Sequence, residues 1–108
     1  MKYLITESQR ENLIFKYLDN QDFIQVNGPY NEIFFVNSEG DEYSQIRYDK
    51  EEDGGTCYVY HKLIGEISSF FSLDEKISKQ LIGNWVKNTL QMSVKYVINM
   101  PHISAMAV

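Results

Sequence analysis

The sequence predicts one small α+β domain over residues 1–108, in which an antiparallel meander sheet packs against helices in the order α-β-β-β-α-α-β. Three observations predict it: a helix-start pattern near the amino terminus, a β-rich middle divided by short polar turns, and apolar residues at helical spacing in the second half. The chain has 108 residues, of which 44% are hydrophobic. A chain of this length can form a core without metals or disulfides.

The first helix is predicted from about Glu7 to Leu18. Thr6 and Gln9 match the T-x-x-Q form of the capping box, in which two side chains satisfy backbone N–H groups at a helix start. The apolar residues of this segment share one helix face. They are Leu13, Ile14, Tyr17 and Leu18.

Three strands are predicted next, at Phe23–Val26, Ile33–Val36 and Tyr43–Tyr48, because these segments are rich in β-forming residues. Asn27-Gly28-Pro29 separates the first two strands, and the segment from Asn37 to Asp41 separates the second from the third. Neighbouring strands joined by such short loops are antiparallel, since parallel neighbours need a crossover of a dozen or more residues.

Residues 56–60 fit both a strand and a helix. Their β-branched and aromatic residues favour a strand, whereas the apolar residues from Tyr60 to Phe71 recur at the spacing of a helix face. We predict a helix from about Tyr58 to Phe71, and the alternative of a strand over 56–60 stays open.

A further helix is predicted after a second capping box, Ser72-Leu73-Asp74-Glu75. Its apolar face is wide enough to contact both a sheet and another helix. That face consists of Leu73, Ile77, Leu81, Ile82, Trp85, Val86 and Leu90. The segment from Ser93 to Met100 then alternates as a last strand, which Pro101 ends.

A core follows from these helix and strand faces. We expect Trp85 to be a core residue rather than a platform for stacking a ligand. The residues predicted to be mostly buried are Leu13, Phe34, Ile64, Ile67, Ile77, Leu81 and Trp85.

Charge is distributed unevenly along the chain. The net charge is −5, with segment values of −1 over residues 1–30, −6 over 31–55 and +2 over 56–108. An acidic middle repels phosphate, so we expect no nucleic-acid partner. The longest aliphatic and aromatic run, Ile33–Val36, is far shorter than the roughly 18 residues of a membrane span, so we also expect no membrane insertion.

Half of a calcium-loop pattern is present in the acidic middle, as Asp49-x-Glu51-x-Asp53-Gly54. The twelfth position of such a loop holds Tyr60 instead of the bidentate Glu that completes it. We therefore expect the segment from Asp49 to Gly55 to be a mobile, solvent-facing turn that holds no tightly bound metal.

Catalytic and cofactor chemistry finds little support in the sequence. Cys57 and His61 are four residues apart, but a nucleophile and its base are normally assembled from distant segments, and a lone cysteine is more often a small buried apolar residue. One cysteine and two histidines fall short of a four-ligand zinc site. We predict no catalytic residue, no cofactor and no metal.

The predicted interaction surface combines tyrosines, acidic residues and the apolar carboxyl-terminal tail. Tyrosine is favoured in interfaces, although tyrosines at strand edges also bury their rings and keep the hydroxyl in water. Residues 102–108 carry no formal side-chain charge apart from the titratable His102, which favours self-association, with burial on the same molecule as the alternative. The surface comprises Tyr43, Tyr48, Asp49, Glu51, Glu52, Asp53, Ile103 and Met106.

Three segments resemble small proteins of tailed bacteriophages, in particular marine phages. They are residues 2–9 (KYLITESQ), residues 67–73 (ISSFFSL) and Trp85-Val86. The resemblance implies a phage context and favours a helix before Phe70, and it implies no site, because no activity is attached to this group.

The function expected from the sequence is that of a non-enzymatic phage accessory protein that acts through protein contacts, in the virion or its assembly. The alternative is an acidic phage-encoded inhibitor that engages a basic site on a host protein, and a small enzyme comes third. The partner is a protein or a second copy, with a homo-oligomer expected. With a single Cys57 and no apolar run of signal-peptide length near Lys2, we expect the host cytoplasm or the virion rather than secretion.

Overall fold

The computed structural model describes residues 6–36, 44–101 and 103. Within them the chain forms three helices and five strands. The helices are α1 (Glu7–Asp19), α2 (His61–Phe71) and α3 (Glu75–Leu90), and the strands are β1 (Ile24–Asn27), β2 (Glu32–Val36), β3 (Ser44–Asp49), β4 (Gly55–Tyr60) and β5 (Val94–Met100).

The five strands form one mixed sheet in the order β1-β2-β3-β4-β5. The first four strands are antiparallel neighbours, whereas β5 runs parallel to β4. The predicted order of elements is the observed one with a single added strand, β4. The prediction of a purely antiparallel sheet is wrong, because α2 and α3 between β4 and β5 provide the long crossover that parallel neighbours need.

The added strand replaces the start of the predicted helix over 58–71. Tyr58, Val59 and Tyr60 belong to β4, and Tyr60 has an extended backbone (φ −63°, ψ 132°) as the N-cap residue of α2. Pairing with strands on both sides outweighs the helical spacing here, since β4 bonds to β3 and to β5. From His61 onward the helix prediction is confirmed.

Of the two predicted capping boxes, the one at the start of α1 is confirmed and the one before α3 is wrong. The Gln9 N–H donates to Thr6 Oγ1 at 3.2 Å, and the Thr6 N–H donates to Gln9 Oε1 at 3.0 Å, as predicted. Ser72, however, is the left-handed C-cap of α2 (φ 54°). Asp74 begins α3 instead, and its carboxylate accepts a hydrogen bond from the Ile77 N–H at 2.7 Å.

The helices cover one face of the sheet, here called the inner face, and the opposite side is the outer face. The inner face contributes Phe35, Ile46, Tyr48, Cys57 and Val59 to a core shared with the three helices. These residues are in register across the strands, since Ile46 lies opposite both Phe35 and Val59.

Most predicted core residues are buried. Ile64, Ile67, Leu81 and Trp85 are buried in the helix layer, Ile77 is half-buried, and Phe34 is buried on the outer face beside Phe35. The prediction that Leu13 is mostly buried is wrong, because 48% of its surface is exposed. The buried residues of α1 are Ile14 and Leu18, so the covered stripe lies to one side of Leu13.

Candidate functional site

The predicted interaction surface is only partly brought together. Tyr43 and Met106 lie outside the described residues. Glu51, Glu52 and Asp53 are exposed in the turn between β3 and β4, and the half-buried Asp49 ends β3. The turn faces solvent as predicted, whereas its mobility stays a prediction.

Tyr48 and Ile103 do not belong to that surface, because both are buried. The Tyr48 ring lies on the inner face against Gly55, and its hydroxyl donates to the Ser93 carbonyl at 2.8 Å. That carbonyl also accepts from the Gly55 N–H at 2.9 Å. The alternation of β3, with Ser44, Ile46 and Tyr48 buried, explains the error, because Tyr48 falls on the side that faces the helices.

The chain after β5 folds back on the same molecule at the points that are described. The Ser44 N–H donates to the Ile103 carbonyl at 2.9 Å, and the ring Nδ1 of His61 lies 3.0 Å from the Pro101 carbonyl. Ile103 is therefore buried by its own chain. For this residue the alternative stated from the sequence, burial on the same molecule, is the observed one. The remaining tail residues, 102 and 104–108, lie outside the described residues.

Arg47 organises the centre of the outer face. Its Nε and Nη2 donate to the two carboxylate oxygens of Asp49 at 2.7 and 3.0 Å, and Nη2 lies 3.4 Å from Glu32. The guanidinium also stacks near the rings of Phe34 and Tyr58, at 5.8 and 5.5 Å from their centroids. The hydrogen bonds that Arg47 donates to Asp49, opposed by partial burial, raise the pKa of Arg47, so its guanidinium stays charged.

The Asp49 carboxylate therefore binds Arg47. It is not directed toward the turn residues with which it would share a calcium ion in the half-pattern described above. Glu51 is engaged too, since its carboxylate accepts a hydrogen bond from the Thr56 hydroxyl at 2.9 Å. Across the described parts of the chain, no three His, Cys, Asp or Glu side chains are grouped so that they could hold a metal ion.

Cys57 and His61 do not form a reactive pair. Cys57 is fully buried on the inner face, and burial raises the pKa of its thiol to about 12. His61 is exposed at the start of α2 and faces the Pro101 carbonyl. A strand residue and the first residue of the following helix do not share the helical face assumed for the pair, so this arrangement offers no activated thiolate.

An exposed aromatic cluster lies where α1 meets α2. Phe70 is 70% exposed, and its ring centroid lies 5.3 Å from that of Tyr17 and 5.0 Å from that of Phe71. Burial and then the negative charge of Glu66 raise the pKa of Tyr17, so its hydroxyl stays protonated at neutral pH. Apolar side chains that are exposed as a group are more typical of contact sites than ones exposed singly.

Next to this cluster is an open groove of about 680 Å³, here called the aromatic groove. Gly65 leaves space in it, since a Cβ at this position would meet no atom within 4 Å apart from its chain neighbours and the backbone of its own helix. The rim is polar and carries both signs of charge. The lining residues are Tyr17, His61, Lys62, Gly65, Glu66, Ser69, Phe70 and Glu75.

Sequence reasoning missed the aromatic groove because it treated Phe70 and Phe71 as equivalent members of one apolar stripe. The signal that could have found it is the width of that stripe. Leu63, Ile64 and Ile67 form the part of the α2 apolar face that is buried in the core. Phe70 widens that face beyond the part that the rest of the molecule covers.

Comparison with known proteins gives no relative: no family model, no curated protein and no solved structure matches this chain. The bacteriophage resemblance therefore stays a prediction. Among the helices of residues 6–36 and 44–101, none is long and apolar enough to cross a bilayer.

Proposed function

We propose that this protein is a non-enzymatic phage accessory protein that acts by binding another protein, in the virion or during its assembly. The observation that carries the proposal is the aromatic groove, where Phe70 is 70% exposed beside Tyr17. Aromatic residues in well-packed contacts dominate the energy of protein interfaces. The phage context rests on the resemblance of the three segments given above.

The groove favours a partner segment that presents an apolar side chain between polar ones. The rings of Tyr17 and Phe70 offer an apolar wall, whereas Lys62, Glu66 and Glu75 at the rim offer both signs of charge. Such a rim adds little long-range attraction, so the affinity would come from burying the rings. Truncating a buried aromatic anchor of this kind lowers affinity by about 30-fold or more.

The experiment has two steps. Mass spectrometry of purified virions of the source phage should find the protein at a fixed number of copies per particle. Incorporation should fall at least about tenfold for Phe70→Ala and stay unchanged for the control Tyr30→Ala, which removes a more exposed aromatic ring from the β1–β2 turn. Equal incorporation of both variants would reject the groove, and absence from virions would reject the virion role.

A second candidate function is supported by the acidic turn. Glu51, Glu52 and Asp53 are exposed together, and residues 31–55 carry a net charge of −6, which suits an inhibitor that binds a basic site on a host protein, including one that binds DNA. Binding of a host protein that is lost with Glu52→Gln/Asp53→Asn and with rising salt, but unaffected by Phe70→Ala, would favour this function over the first.

A further inference from the structure

The edge of the sheet formed by β5 has the features of a pairing surface. Within the described residues, β4 is the only strand that pairs with β5, so the other side of its backbone faces away from the sheet. The register with β4 shifts between Gly55 and Thr56, which leaves Lys95 without a residue opposite it. From Tyr96 to Met100 the pairing is regular, and this regular edge segment contains no charged residue.

The regular edge segment also carries exposed apolar side chains on the outer face. Tyr96 lies opposite Thr56 and Ile98 lies opposite Tyr58, and these two residues of β5 are 57% and 40% exposed. Proteins usually protect an edge strand with charge, proline or a bulge. Here the bulge at Lys95 and the following Pro101 bound the segment at its two ends and leave the residues between them regular.

We propose that β5 pairs antiparallel with β5 of a second copy of this chain, about a twofold axis at Ile98. This register places all five regular residues opposite one another, with Ile98 facing its own copy and Tyr96 facing Met100. The outer side of the new pair then consists of Tyr96, Ile98 and Met100 from each copy and carries no charge. The two five-stranded sheets become one continuous sheet across the dimer.

Charge favours the antiparallel direction for two paired copies. The acidic turn lies beside the start of β5, since Gly55 pairs with Val94. In the antiparallel arrangement the two acidic turns lie at opposite ends of the strand pair, whereas a parallel arrangement would place turn beside turn and Lys95 beside Lys95. A second copy presents the same uncharged segment from Tyr96 to Met100, so this pairing places no charge opposite another.

The other edge of the sheet provides the control. β1 has four residues, two of which are the polar Gln25 and Asn27, but Ile24 on it is 49% exposed, close to the value for Ile98. Ile24→Lys and Ile98→Lys therefore make the same chemical change at similar exposure on opposite edges. Only the second places two like charges on the proposed twofold axis.

The test is molar mass by sedimentation equilibrium on the full chain from about 1 to about 500 µM. We expect the mass to rise from 12.7 kDa toward twice that value. Ile98→Lys should raise the dimer dissociation constant at least about tenfold, and Ile24→Lys should leave it unchanged. A monomer at every concentration, or equal effects of the two variants, would overturn the proposal, and circular dichroism checks that each variant is folded.

Cysteine variants test the register directly. Under mild oxidation Ile98→Cys should form a disulfide-linked dimer, whereas Tyr96→Cys should not, because its two copies lie about four residues apart along the strands. Native Cys57 is fully buried and does not compete. A Tyr96→Cys dimer without an Ile98→Cys dimer would overturn the register. This proposal uses a surface separate from the aromatic groove, so dimerisation and virion incorporation fail independently.

Discussion

The two faces of the sheet differ in what fills them. On β3 the buried residues Ile46 and Tyr48 point toward the helices, and between them the half-buried Arg47 points away and binds two carboxylates. On β2 the adjacent Phe35 and Phe34 divide in the same way, with Phe35 in the core shared with the helices and Phe34 beneath Arg47. Apolar packing fills the inner face, whereas charge and aromatic rings share the outer one.

The contrast between the two faces predicts where substitutions destabilise the fold and where they are tolerated. A close-packed apolar layer loses stability when a single methylene is added or removed. A half-exposed ion pair contributes little to the free energy of unfolding, because water and salt screen the attraction between its charges. Substitutions should therefore be costly on the inner side and mild on the outer side, which leaves the outer face and the strand edges available for binding.

The largest effect is expected from the helix layer against the inner face. Leu81→Ala should lower the free energy of unfolding by about 2 to 5 kcal/mol, because it removes a buried side chain of α3 and leaves a cavity. Leu13→Ala is the control, since it is the same change at a residue that is 48% exposed on α1, and it should cost below about 1 kcal/mol. Urea denaturation measures both. Equal losses would show that α1 buries a wider face than the structure indicates.

The next effect tests how tightly the inner face is packed. Gly55→Ala places a methyl group against the Tyr48 ring, which is itself fixed by its hydrogen bond to the Ser93 carbonyl. We expect a loss of about 1 to 3 kcal/mol from overpacking. Gly65→Ala is the matched control on α2, where the added methyl meets no atom within 4 Å, and it should stabilise the helix by up to about 1 kcal/mol. A mild effect at Gly55 would contradict a rigid Tyr48.

A helix or strand of this fold is predictable from the sequence to the extent that neighbouring residues determine it. The capping box at Thr6 and Gln9 and the first three strands depend on neighbouring residues and were predicted closely. The strand over 55–60 depends on pairing with β5, nearly 40 residues later, and local spacing favoured a helix instead. Long-range pairing on both sides decides between the strand propensity of these residues and their helical spacing.

The residues of the candidate sites also divide into those that local sequence predicts and those that depend on the assembled fold. The exposure of Glu51, Glu52 and Asp53 follows from their charge and was predictable. The burial of Tyr48 required knowing which side of β3 meets the helices, and the exposure of Phe70 required knowing how much of α2 is covered. Both are properties of the assembled layers, so the alternation of β3 and the width of the α2 stripe indicate them only once the covered side of each element is known.

A third prediction uses pH to probe the inner face. The Cys57 thiol has a pKa of about 12 in the folded protein, against 9.0 ordinarily, so the folded state holds its proton more tightly than the unfolded state. This contribution to stability is complete well below pH 9, where the thiol is protonated in both states. It is lost as pH rises through the unfolded-state pKa of 9.0, and the total loss between pH 7 and 10 is about 1.4 kcal/mol.

The control for this pH effect is Cys57→Ala, which loses some packing at every pH but lacks the thiol. Urea denaturation between pH 7 and 10 in reductant should show a flatter decline for the variant than for the parent chain. The window stops at pH 10 because Tyr17 and Tyr48, whose pKa values burial raises above 10.0, contribute a decline of the same sign beyond it. Parallel profiles would mean that Cys57 is not sealed in the core.

The smallest effect is expected on the outer face. Arg47→Met keeps an apolar stem over Phe34 and removes the charge that binds Asp49 and Glu32. Because 37% of the Arg47 side chain is exposed, we expect a loss below about 1 kcal/mol. The difference from the parent chain should shrink further at about 1 M salt, where screening acts over about 3 Å. Lys50→Met, an exposed neighbour, is the control for net charge. A loss above about 3 kcal/mol that salt does not change would show instead that the outer face is a second core, with Arg47 buried as one of its structural members.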